Sequence, residues 1–198
     1  MRPALIALVG LLLAGCSPAI TPSSAVPPKS PAVSAASSPR ITPPPVTPPT
    51  PPGNTLPDFV CADASGGKVG VANAIAARVG EDTGYDRFVL QFDSIIPTYT
   101  VKRQAKPVFP TGATGQTMTL NGAAGVLVTV HSATGASTFT GPTDIQHSDY
   151  KVLVEARQTE DFEGFYSWGL GLSHAACMRV FVLQDPARIV IDFQTSTS

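Results

Sequence analysis

The densest cluster of ionisable side chains in the chain is Glu160, Asp161 and Glu163. Two carboxylates do acid–base work when their surroundings split their pKa values, so this cluster is the candidate centre of a hydrolase. Its place beside Gly164, just ahead of an apolar segment, fits a solvated turn better. No Asp-x-Asp-x-Asp loop accompanies it, which argues against a calcium loop. His131, His147 and His174 show neither the HExxH nor the CxxC spacing of zinc sites, so no metal is expected. Ser173-His174 lacks an acid nearby in sequence, and there is no Gly-x-Ser-x-Gly elbow. Gly169 to Gly171 sits in strand context with no helix start behind it, so it is not a phosphate loop. Arg87 and Arg188 each open an apolar alternating segment, and Arg188, Val190 and Asp192 project to one side of theirs. Such residues make either a cross-strand ion pair or a polar groove for a glycan or a peptide carboxylate, which guanidinium grips well. Arg87, Arg188, Asp192 and Trp168 are the candidate ligand contacts. No catalytic constellation and no cofactor motif emerges, so a binding or scaffolding role is expected ahead of an enzyme.

The start of the chain carries a different chemistry. Arg2 precedes an uncharged apolar run from Ala4 to Ala14, which ends in small residues before Cys16. Crossing ~30 Å of hydrocarbon takes about twenty residues, so the run is too short to span a membrane. Residues 1–15 read instead as a secretory leader. The ending Leu13-Ala14-Gly15-Cys16 resembles the bacterial lipobox. That resemblance implies cleavage before Cys16 and acyl chains, palmitate among them, on its end of the mature chain. Each buried CH2 contributes ~0.8 kcal/mol, and two or three chains hold a protein on a membrane far better than one. The expected product is a lipid-anchored protein on the extracytoplasmic side of a bacterial membrane. Cys61 and Cys177 then remain as an even pair in an oxidising compartment. One disulfide between them is expected, with two buried free thiols as the alternative.

The elements that must position these residues are confined to part of the chain. Fourteen of the 20 prolines lie between Ser17 and Asp58, a stretch with no aromatic residue and no hydrophobic periodicity. Residues 16–58 therefore read as the modified cysteine and a disordered, polyproline-like spacer. From Phe59 to Ser198 the pattern is one of short alternating segments punctuated by Gly, Asp, Asn and Pro. Phe88, Leu90 and Phe92 alternate with Arg87, Val89 and Gln91, as on a half-buried strand. Tyr166, Trp168, Leu170 and Leu172 share one face, while Ser167, Gly169 and Gly171 make a small face that a neighbour could approach closely. Val180 to Leu183 is apolar on both faces, as a central strand would be. Val71 to Val79 is the ambiguous segment, read as a strand despite its alanines. Eight or more such strands predict an all-β sandwich over residues 59–198.

This domain holds ten Lys/Arg against thirteen Asp/Glu and no basic run. Affinity for nucleic acid comes mainly from neutralising phosphates, so that partner class is excluded. The closing segment Leu183-Gln184-Asp185-Pro186-Ala187-Arg188-Ile189-Val190-Ile191-Asp192-Phe193 resembles the final hairpin of AMIN domains. Tyr85-Asp86-Arg87-Phe88-Val89-Leu90-Gln91-Phe92 resembles their early strand, and Asp161-Phe162-Glu163-Gly164 before Tyr166-Ser167-Trp168 follows the order of the AMIN-like domain of bacterial secreted proteins. The resemblance covers about Val69 to Phe193. It implies a β-sandwich of the cell envelope that binds peptidoglycan, another wall polymer or an envelope protein. Two other readings stand beside it: a hydrolase using Glu160, Asp161 or Glu163, and a carrier of an apolar ligand inside the sandwich.

Overall fold

The computed structural model describes residues 56–112 and 115–196. The leader at 1–15, Cys16 and nearly all of the spacer at 16–58 lie outside the described residues. Thirteen strands form, and no α-helix occurs among the described residues. One sheet has six strands in the order β1 (Ala64–Gly66), β4 (Tyr99–Gln104), β7 (Ala124–His131), β11 (Phe165–Leu172), β10 (Leu153–Phe162), β9 (Asp144–Gln146). The other has five, in the order β12 (Met178–Leu183), β13 (Arg188–Gln194), β3 (Tyr85–Phe92), β2 (Ala72–Asp82), β8 (Ala133–Thr134). A separate hairpin pairs β5 (Val108–Thr111) with β6 (Gln116–Thr119). The alanine-bearing segment after Val71 is thus a strand, paired along its length with β3.

Alternation decides what goes inside. Phe88, Leu90 and Phe92 of β3 and Ile189, Ile191 and Phe193 of β13 share one buried cluster with Val126, Val128 and Val130 of β7 and Tyr166, Trp168 and Leu170 of β11. The Phe88 and Trp168 rings meet across the two sheets at 5.5 Å between centroids. Each large side chain buried this way contributes roughly 1.5–3 kcal/mol. Asp86 shares the inner face with Phe88, and a buried carboxylate needs donors. Its Oδ2 accepts the N–H groups of Val152 (2.6 Å) and Leu153 (2.9 Å), which ties β3 to the start of β10 in the opposite sheet.

The small face of β11 is used as its residue types predict. A Cβ on Gly169 would come within 2.6 Å of the Phe109 ring, and one on Gly125 within 2.7 Å of the same ring. Phe109 of β5 is completely buried there, so the extra hairpin plugs onto the outer side of the six-stranded sheet. The approach is closed to any side chain larger than hydrogen at these two positions.

The sandwich has two ends. At one, the Thr83–Gly84 turn joins β2 to β3, and the chain arrives beside β12: Val60 and Met178 exchange both backbone hydrogen bonds (2.8 and 3.0 Å). The Cys61–Cys177 disulfide forms next to this bridge, with a Cα–Cα distance of 4.2 Å, as the pairing of the two cysteines predicts. Arg103 of β4 donates to Cys61 O (2.9 Å) and Ala176 O (3.4 Å), clasping both sides of it. At the other end, Glu163 and Gly164, both at positive φ, turn β10 into β11.

Val180 to Leu183 lies in an edge strand, not a central one. It is apolar on both sides because Phe181 packs in a stack on the outer face, while Val180 packs against the core.

Candidate functional site

Arg87 of β3, Asp192 of β13 and Arg179 of β12 stand side by side because the register pairs Arg87 with Asp192 and Asp192 with Arg179. All three project outward, opposite to Phe88, Ile191 and Val180. The Asp192 carboxylate is completely buried beneath the two guanidinium groups. Its Oδ1 accepts from Arg87 Nε (2.5 Å), and its Oδ2 accepts from Arg87 Nη2 (2.8 Å) and Arg179 Nε (2.7 Å). A charge removed from water needs such partners, and the fork of arginine supplies them in matched geometry. The Asp192 carboxylate in turn holds the Arg87 guanidinium charged, its pKa raised chiefly by that hydrogen bond. Arg87 remains 31% exposed, so its outer edge is open to a ligand.

Aromatic rings stack between these cations. Arg179 lies over Phe59 (4.5 Å to the centroid) and over Tyr85 (4.7 Å), while Arg87 lies over Tyr85 (4.9 Å) and Phe181 (5.5 Å). The series Phe59, Arg179, Tyr85, Arg87, Phe181 runs as one alternating stack across the sheet. Each contact contributes ~0.5–1 kcal/mol at exposed sites and fixes the guanidinium planes. Tyr85 is oriented by donating from its hydroxyl to Asp82 Oδ2 at 2.8 Å. That bond pulls the Asp82 pKa down and pushes the Tyr85 pKa up.

The same face carries two further arginines. Arg78 of β2 donates to Gln91 Oε1 (2.5 Å), and Arg188 of β13 donates from Nε to Pro186 O (3.1 Å). Four of the domain's ten Lys/Arg therefore gather on one face of an acidic domain, against Asp192 beneath them and Asp82 at the border. Chemically this is a surface for an anion that also offers flat or apolar groups for stacking.

The candidate residues separate. Arg87 and Asp192 meet as an ion pair, and Arg188 lies further along the same face of β13, bonded to its own turn instead of an acid. Trp168 does not join them: it is fully buried between Phe88 and Phe139, because its alternation with Gly169 and Gly171 puts it on the core side of β11. Arg179, Tyr85, Phe181 and Phe59 complete the site, and the sequence alone does not single them out. The outward parity of Arg179 and Phe181 was a readable signal, but the partner of each is set by strand register.

The acidic cluster is not assembled as a unit. Asp161 accepts from Thr134 Oγ1 (2.8 Å) and Gly135 N (3.0 Å), holding the segment after β8. Glu160, the next residue on the strand, faces the other way and meets the Ser167 hydroxyl at 3.4 Å. Glu163 occupies the exposed turn. Nor do the histidines converge: His131 packs edge-on to Phe165, His147 stacks on Tyr150, and His174 Nδ1 sits 2.9 Å from Ser173 Oγ. The interior where an apolar cargo would sit is filled by Trp168, Tyr166, Phe88, Phe92 and Phe193.

The AMIN-like domain matches residues 72–195, from the first residue of β2 to just beyond β13. No curated protein and no solved structure matches the chain.

Proposed function

The chain belongs to the AMIN-like domain family, whose members are extracytoplasmic modules of the cell envelope, and from that premise we propose a non-enzymatic binding module that grips an anionic wall polymer. The observation that carries the reading is the half-buried arginine–aromatic stack over buried Asp192, with the outer edge of Arg87 open to solvent. Peptidoglycan fits the stack best, because its peptide carboxylates suit the guanidinium groups and its sugar faces suit Tyr85 and Phe181. Cys16 carries the lipid, residues 17–58 form the spacer, and the domain from Phe59 onward reaches the ligand.

Two experiments test this. Full-length protein is incubated with purified sacculi, with and without soluble glycan-peptide fragments, beside the double variant Arg78→Glu/Arg188→Glu. Those side chains lie outside the Asp192 pair, so the variant reverses charge while leaving that pair intact. Retention that fragments compete away and the variant loses supports the site. Retention no better than a denatured control removes wall binding, and retention equal in the variant moves it off this face. For the anchor, Cys16→Ser abolishes palmitate labelling; a variant that stays labelled refutes the assignment of that cysteine.

A further inference from the structure

The end of the sandwich away from Cys61 exposes apolar side chains that nothing in the fold requires there. Val69 is 99% exposed, Val71 75%, Phe162 48% and Phe165 43%. Phe162 and Phe165 are paired across the β10–β11 turn, and the His131 ring sits edge-on to Phe165 at 5.1 Å. Val71 is held beside this turn: the next residue, Ala72, donates to Ser132 O (3.3 Å), while Ala133 donates to Gly164 O (3.2 Å). Beyond Val69 a cleft of about 220 Å³ opens, with Ile95, Ile96 and Val182 in its lining. Isolated apolar residues on a surface are ordinary, but a contiguous set with a cleft beside it marks an interaction site.

We propose that this end is a docking surface for a partner protein, and that the docked segment carries apolar side chains flanked by Lys or Arg. The charge around the patch selects this occupant. The exposed acids at this end are Asp93, Glu163 and Asp185, one on each of three turns, against exposed Lys68 and half-buried Arg188, whose guanidinium is bonded to Pro186 O. Glu163 stands between the two phenylalanines in the exposed turn that carries both. An anionic membrane surface is repelled there, and two copies joined end to end would oppose carboxylate to carboxylate. A basic partner gains from the same groups. The described chain begins at the opposite end, where Val60 bridges Met178.

A random dodecapeptide display library panned on the full-length protein tests the proposal. Phe162→Ser/Phe165→Ser serves as counter-selection, and Glu163→Lys and Val71→Ser as separate single variants. Enriched peptides should combine aromatic or aliphatic residues with two or more Lys/Arg. As synthetic peptides they should bind at least tenfold more weakly to the double variant and to Glu163→Lys, and more weakly to Val71→Ser. Should the double variant fail to fold, by near-ultraviolet circular dichroism, the two single variants decide alone. Absence of enrichment, acidic or neutral consensus peptides, or binding indifferent to these variants overturns the proposal. So does Phe162-dependent sedimentation with phosphatidylglycerol vesicles, which would assign the patch to membrane. A dimer in sedimentation that the double variant dissolves would assign it to a second copy, with the same consequence.

Discussion

Removing the Asp192 carboxylate tests the central arrangement most severely. Asp192→Ala deletes three charge-assisted hydrogen bonds, from Arg87 Nε, Arg87 Nη2 and Arg179 Nε. It leaves two guanidinium groups adjacent, one 31% and the other 12% exposed. Bonds to charged groups contribute roughly 1.5–3 kcal/mol each, which overstates the loss here because Arg87 can turn towards water. Arg179 has less room to do so, and breaking a buried pair by removing one partner typically costs about 3–5 kcal/mol. The expected destabilisation is therefore about 3–5 kcal/mol for Asp192→Ala. Asp192→Asn should lose somewhat less, since the amide oxygen still accepts one donor. Urea unfolding followed by tryptophan fluorescence suits the measurement, because the only Trp of the chain, Trp168, is completely buried in the core. Replacing all three groups together, as Arg87→Met/Arg179→Met/Asp192→Leu, should restore most of the stability while abolishing sacculus retention. A loss below about 1 kcal/mol in Asp192→Ala would place the pair among solvated surface salt bridges and refute the reasoning.

Three further outcomes follow from other parts of the fold. The Cys61–Cys177 disulfide closes a loop of 116 residues, so on the chain-entropy estimate Cys61→Ser/Cys177→Ser should lose up to about 5 kcal/mol in the same titration; an unchanged midpoint would contradict it. Gly169→Val should expel Phe109 from the outer face of the six-stranded sheet, and hydrogen exchange should then rise in Val108–Thr111 and Gln116–Thr119 while Trp168 fluorescence stays native. Asp93 titrates below the ordinary aspartate range, chiefly because Asn73 N–H donates to it. A depressed folded-state pKa stabilises above the unfolded value and is lost as pH falls through the folded one, so the difference in unfolding midpoint between wild type and Asp93→Asn should shrink below about pH 4.

Local alternation made much of this architecture legible. Phe88, Leu90 and Phe92 declare an inner face, and so do Tyr166, Trp168 and Leu170; the structure puts them there. The cysteine pairing was readable because two thiols remain once Cys16 is assigned elsewhere. Strand order is a different kind of information. β12 lies at an edge because β13 finds β3 on its other side, and nothing within Met178–Leu183 encodes that choice. The arginine–aromatic face depends on the same choice: Arg87 and Asp192 are separated by 105 residues, and only the β3–β13 register makes them neighbours. Trp168 shows the opposite error, an aromatic residue assigned to a ligand although its own alternation already pointed inward. The β5–β6 plug escaped because Pro107 and Pro110 interrupt a segment too short to show a period.

The covalent junction at Cys61 has a mechanical consequence. Tension arriving along the preceding chain divides there. One share continues through Ala62 and Asp63 into β1 and the six-stranded sheet; the other crosses to Cys177 and enters β12, two residues ahead of Arg179. Both halves of the sandwich are loaded together, and the arginine stack sits on the route through β12. With the bond reduced, the whole force would fall on the Val60–Met178 bridge and on β1, a three-residue edge strand that can peel from β4 one pair at a time.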